Sequence, residues 1–133
     1  MSASHPVTAL DLNKQLIARW FEEVWNQSRR ETIFELFAPD AVLHEGEKPI
    51  RGPHEFSAFY DGLQSEFSDF QITPGVTLAE GDLASLRWTA TARHKATGKP
   101  TRITGISIVR IKDGKFVEAW QNWDAASLAA QLV

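Results

Sequence analysis

The chain has 133 residues, a formal net charge of −3 and no cysteine. That length suits one domain, residues 1–133, with a core of its own. The missing cysteine excludes disulfides, thiolate catalysis and Cys-built metal sites, and the scattered basic residues argue against nucleic acid and anionic membrane as partners.

In chain order, residues 1–7 read as a loose tail without the basic-then-apolar pattern of a secretory signal. Thr8 can cap a first helix, with Asp11 near its positive end. Leu12, Leu16, Ile17, Trp20, Phe21, Val24 and Trp25 recur at helical spacing as one wide aromatic stripe. Asn26-Gln27-Ser28 ends that helix. A short second helix carries Ile33, Phe34, Leu36 and Phe37, and Pro39-Asp40 stops it. Ala41 to Glu45 reads as a short strand. Alternation along a strand sends His44 and Glu45 to opposite faces, so only one of them can face a common cavity. After a loop from Gly46 to Arg51, Pro53 opens a third helix with the stripe Phe56, Phe59, Tyr60, Leu63 and Phe67.

From Asp69 the period changes from helix to strand. Phe70 to Leu78 reads as a strand that Pro74-Gly75 bends or bulges. Glu80-Gly81-Asp82 is a turn, Leu83 to His94 a long strand, and residues 95–100 a polar turn. Thr104 to Asp124 then forms a hairpin, with Asp113-Gly114 between runs of β-branched and aromatic residues. Ala125 to Leu132 closes the chain as a short helix. Three helices followed by four long strands in a meander predict an α+β fold, with the helices covering one face of a curved antiparallel sheet. Five Trp and eight Phe point to a well-filled core or an aromatic-lined pocket. Ser107, Gln121 and Asn122 among Trp and Ile suggest polar groups that face such a pocket. No apolar stretch approaches the ~20 residues that span a membrane, and a cytoplasmic protein is the default expectation.

The runs LIARWFEEVWNQ, ELFAPDAVLHE, GPHEFSAFY, LRWTATARH and TGISIVRIKDGKFVEAWQNWD, in this order and spacing, resemble the SnoaL-like polyketide cyclase family. That family belongs to the nuclear transport factor 2-like superfamily, which also holds ketosteroid isomerase. The resemblance runs from about Leu12 to Leu132. It implies a cone-shaped, cystatin-like α+β barrel, a deep apolar pocket for a small hydrophobic molecule, and a homodimer built on the outer face of the sheet. As activity it implies cofactor-free acid–base chemistry of a lyase, isomerase or cyclase on a small carbonyl or polyketide-like compound, or else binding of an apolar ligand without catalysis. Aligned with the isomerase, Trp20 stands where a Tyr donor is found, Glu45 where the Asp base is found, and Ser107 where a protonated Asp is found. The cyclases carry a catalytic Asp after the Trp of a motif like EEWD. Here the motif reads EAWQ, so Gln121 occupies that position, and Asp124 lies three residues later. His44 matches a His frequent in the first-strand segment.

The candidate catalytic residues are therefore Glu45, His44, Gln121 and Asp124. A carboxylate facing an aromatic pocket is the natural general base, which favours Glu45, with His44 as the alternative. Asp124 can equally cap the last helix. Candidate substrate contacts are Trp20, Phe21, Phe59, Tyr60, Trp88, Ser107, Asn122 and Trp123. The His at 5, 44, 54 and 94 show no metal-binding spacing, and no phosphate-cradling Gly loop occurs. Neither a metal nor another cofactor is expected.

Overall fold

The computed structural model describes residues 6–133. The tail expected over residues 1–7 lies outside the described residues at its first five positions. Helix α1 (Ala9–Trp20) starts on a capping box: the Asp11 N–H donates to Thr8 Oγ1, and the Thr8 N–H donates to the Asp11 carboxylate. The same helix runs on as one wide π-turn, Phe21–Asn26, in which the Gln27 N–H reaches the Glu22 carbonyl. Helix α2 (Glu31–Leu36) and helix α3 (Gly52–Glu66) complete the helical layer.

The strands are β1 (Phe37–Glu45), β2 (Ile50–Arg51), β3 (Phe67–Glu80), β4 (Leu83–His94), β5 (Pro100–Lys112) and β6 (Lys115–Trp123). A short helix α4 (Ala125–Gln131) follows. The sheet order is β2-β1-β6-β5-β4-β3. The meander expected from the sequence is present, as is the turn at Asp113-Gly114, where both residues have positive φ (52° and 75°) as a type I′ turn requires. The expected bulge in β3 is a register shift between Pro74 and Thr77.

Two details correct the sequence reading. Among the described residues the sheet has six strands, not four, because β1 lies parallel to β6 and brings β2 with it as an edge. This pairing joins residues more than seventy positions apart, which short turn signals cannot show. In addition, β1 begins at Phe37 and runs through Pro39-Asp40 instead of starting at Ala41. The register against β6 shifts between Phe37 and Val42, which accommodates a proline that has no N–H to give the ladder.

Helices and sheet enclose one core. Ile17, Val24, Ile33, Leu86 and Phe116 are fully buried within it. Each such side chain contributes roughly 1.5–3 kcal/mol through removal from water. Asn26 ties the end of the π-turn to β3 as a strand would: its amide donates to the Ile72 carbonyl (2.9 Å) and accepts from the Ile72 N–H (2.6 Å). The turn thereby aims Phe21 and Trp25 at the concave side of the sheet. Among the described residues no helix is long and apolar enough to cross a membrane.

Candidate functional site

Between the helices and the concave face lies a cavity of about 120 Å³, open on one side. Phe21 and Trp25 come from the helix end, Phe59 and Leu63 from α3, and Phe67, Phe70 and Ile72 from β3. Trp88, Ala90 and Ala92 on β4, Thr101 and Ile103 on β5, Gln121 and Trp123 on β6, and Leu128 on α4 complete the wall. Only Thr101 and Gln121 have polar side chains free of aromatic rings, and the Thr101 hydroxyl donates to the Ala92 carbonyl at 3.1 Å. A cavity of about 150 Å³ holds benzene. The enclosed part here suits about one ring, and a larger molecule must extend through the mouth.

One glycine makes the floor possible. Gly105 pairs with Trp88 on one side and Trp123 on the other. A Cβ at Gly105 would lie 2.3 Å from Cζ2 of Trp88, so the indole lies flat on the strand only because no side chain is there. In that position Trp88 Nε1 donates to Ser107 Oγ at 3.0 Å. Ser107 donates to Gln121 Oε1 at 3.1 Å, and Gln121 Nε2 donates to Glu45 Oε2 at 2.7 Å. Trp123 Nε1 donates to the other oxygen, Glu45 Oε1, at 2.6 Å. The parallel pairing of β1 with β6 sets Glu45 beside Gln121 and so closes this chain.

The other sequence candidates stand as follows. His44 is on the convex face, with Nε2 2.9 Å from Glu118 Oε2 and its ring stacked on Trp120. The alternation that separates His44 from Glu45 is thus the one expected of a strand. Asn122 pairs with Ile106 on that same convex face. Asp124 caps α4, its Oδ1 accepting the Ser127 N–H at 3.0 Å. Trp20 packs in the core against Phe37, Phe56 and Phe116. The ring of Tyr60 packs on Trp25 and its hydroxyl donates to the Val24 carbonyl at 3.0 Å. Burial pushes that phenol's pKa up. Phe21, Phe59, Trp88 and Trp123 line the cavity; Ser107 does not, lying instead beside the core around Trp20 and linked to the cavity wall through Gln121. Sequence reasoning did not single out Trp25, Phe70, Ile103 or Leu128 as lining residues. Phe70 and Ile72 alternate on their strand, and Trp25 ends the helical stripe, so two of these signals were present. Among the described residues no three His, Asp or Glu side chains gather as a metal set.

The model of the SnoaL-like domain family matches residues 17–119. Among solved structures, the chain is similar to wild-type IdmH of Streptomyces antibioticus, a candidate polyketide cyclase. The two are 30% identical with a TM-score of 0.80, over 90% of this chain and 97% of that one. A candidate polyketide cyclase of Acidithiobacillus ferrooxidans is 24% identical, with a TM-score of 0.81 over 99% of this chain and 97% of its own. A candidate SnoaL-like polyketide cyclase of Jannaschia sp. CCS1 is 16% identical, with a TM-score of 0.85 over 98% and 96%. At the last two identities the likeness speaks for the fold alone. No curated protein matches the sequence.

Proposed function

Because the chain belongs to the SnoaL-like domain family, we propose that its cavity binds a small, mostly apolar carbonyl or polyketide-like compound and isomerises, dehydrates or cyclises it by cofactor-free acid–base chemistry. The observation that carries this is the Glu45 carboxylate, with both oxygens held by donors from side chains that line an apolar cavity. Glu45 takes a proton from the carbon next to the carbonyl. The electron pair moves onto the carbonyl oxygen, where a hydrogen-bond donor stabilises the developing charge. Glu45 then returns the proton: to another carbon in an isomerisation, to a β-hydroxyl that leaves as water in a dehydration, or to the alkoxide formed when the enolate carbon bonds to a second carbonyl carbon in a cyclisation. Gln121 holds the position of the cyclases' acid but has no proton to give in this range, so its part is that of a donor to oxygen. The capping role of Asp124 and the convex-face position of His44 both favour Glu45 as the base.

Glu45→Gln keeps the shape and removes the proton acceptor. It is expected to lower turnover by roughly two to four orders of magnitude while leaving ligand affinity nearly unchanged. A screen of cyclic ketones and polyketide esters with both proteins tests this. Should apolar ligands raise the melting temperature while none is turned over, the protein is a binding module and the enzymatic reading falls.

We further infer a homodimer through the convex face. Ile106 and Ile108 are 46% and 37% exposed there, and Leu78 is open on the same side. Uncovered apolar strand residues in such a row favour a second copy. Sedimentation equilibrium at micromolar concentration is expected to give a dimer that Ile108→Lys dissociates; a monomeric parent chain refutes it.

A further inference from the structure

The chain Trp88–Ser107–Gln121–Glu45 has a fixed direction, and the direction follows from chemistry alone. An indole N–H can only donate, so Ser107 Oγ must accept from Trp88. An ionised carboxylate can only accept, so Gln121 must turn its N–H edge toward Glu45. The Ser107 hydroxyl then has one place for its proton, the Gln121 carbonyl oxygen. Inverting the amide would set its oxygen against a Glu45 oxygen and strand the Ser107 proton in a buried place. Trp123 donates to the other Glu45 oxygen. A primary amide carries two N–H groups. Glu45 takes one of those of Gln121; the other has no protein partner among the described residues, on a side chain that lines the cavity.

We propose that Trp88 and Ser107 are positioning residues that lock the Gln121 amide with its N–H edge outward, making Gln121 the residue that selects ligands presenting an acceptor oxygen. This rests on the cavity being a ligand site, as proposed above, but needs no turnover. The lock has two ends, Glu45 and the Trp88–Ser107 pair. Either end suffices to hold the amide, and opening both lets it turn over.

Acetophenone and cumene test this directly, because cumene replaces the carbonyl by an isosteric CH–CH₃. The quantity read is the ratio of the cumene Kd to the acetophenone Kd, obtained by NMR titration with the indole N–H of Trp123, which lines the cavity in every variant, as reporter. Gln121→Leu is expected to lower that ratio about five-fold, the worth of one net hydrogen bond. Glu45→Gln alone is expected to keep most of it. Ser107→Ala added to Glu45→Gln is expected to bring the ratio down to the Gln121→Leu value. If that double variant does not fold, Trp88→Phe added to Glu45→Gln removes the same end while keeping a ring. A ratio unchanged by Gln121→Leu refutes the selecting role. A ratio that survives opening of both ends refutes the lock. Failure of both probes to bind below millimolar concentration overturns the inference together with the ligand site. Absence of turnover in the Glu45 screen leaves it standing.

Discussion

On the helical side of the molecule, Arg19, Glu23, Arg29 and Glu35 form a network of full charges near solvent, with the buried Thr32 hydroxyl bridging Arg29 and Glu23 beneath it. Beside the cavity, Trp88, Ser107, Gln121 and Trp123 form one of neutral groups that ends on a single carboxylate. The first is redundant. Glu35 meets both Arg19 and Arg29, and Glu23 meets the same two, so losing one partner leaves others and water. The second is serial. Ser107 and Gln121 have one partner on each side, Trp88 and Trp123 have one each, and the buried members Trp88 and Ser107 have no water to fall back on. Charged networks at a surface tolerate change because the medium substitutes for the partner; a neutral, directional chain does not. If that contrast is right, small substitutions on the cavity side should cost more than loss of a whole charge on the helical side.

The largest effect is expected from Gly105→Ala. The added methyl must displace the indole of Trp88, a ring packed between helix and sheet, and overpacking of this kind costs ~1–3 kcal/mol. Thermal denaturation with tryptophan fluorescence reads both the loss and the movement of the ring. A stability equal to the parent's would mean that Trp88 has room to move and that the floor is not set by the glycine.

Ser107→Ala should follow, at about 1–2 kcal/mol, since it leaves the Trp88 N–H and the Gln121 oxygen unpaired in a dry place. Adding Trp88→Phe removes one of those orphans. The double variant is therefore expected to lose less than the sum of the single losses in urea denaturation. Strict additivity would show that the groups do not act as a chain.

Much of this contrast could be read in the sequence, and the unread part has a physical cause. Asp113-Gly114 fixed the β5–β6 hairpin because a type I′ turn needs positive φ at both places. Thr8 was legible as the cap of α1 and Asp11 as a charge at its positive end, while the reciprocal bond that makes them a capping box came from the structure. Alternation separated His44 from Glu45 but could not say which one faced inward. That depends on the parallel partnership of β1 with β6, a contact between distant segments. Helical spacing likewise showed the aromatic stripe without telling core from cavity. Trp20 and Phe21 are adjacent, yet one packs on Phe37 and Phe116 while the other reaches Trp88 across the cavity. The π-turn beginning at Phe21 shifts the later residues of the stripe, and no local signal marks it.

The smallest effect, and the one that most sharpens the contrast, concerns Glu35. Hydrogen bonds from Arg29, and then from Arg19, hold its carboxyl well below the usual range, from 4.5 to about 2. A carboxylate depressed in the folded chain supports the fold above its unfolded pKa, and that support is lost as pH falls through the folded value. The melting-temperature gap between the parent chain and Glu35→Gln should therefore be small and level above about pH 6. It should narrow once pH drops below 4.5 and be roughly half gone by pH 3, closing near 2. Raising salt to 1 M should shrink it at neutral pH, since screening then acts over about 3 Å. The Gly105→Ala gap arises from packing and carries no titrating group, so it should stay level across the same range. A Glu35 gap that holds its neutral value down to pH 3 would show that something other than these arginines stabilises the helical side. The distinction between a redundant charged network and a serial neutral one would then have to be given up.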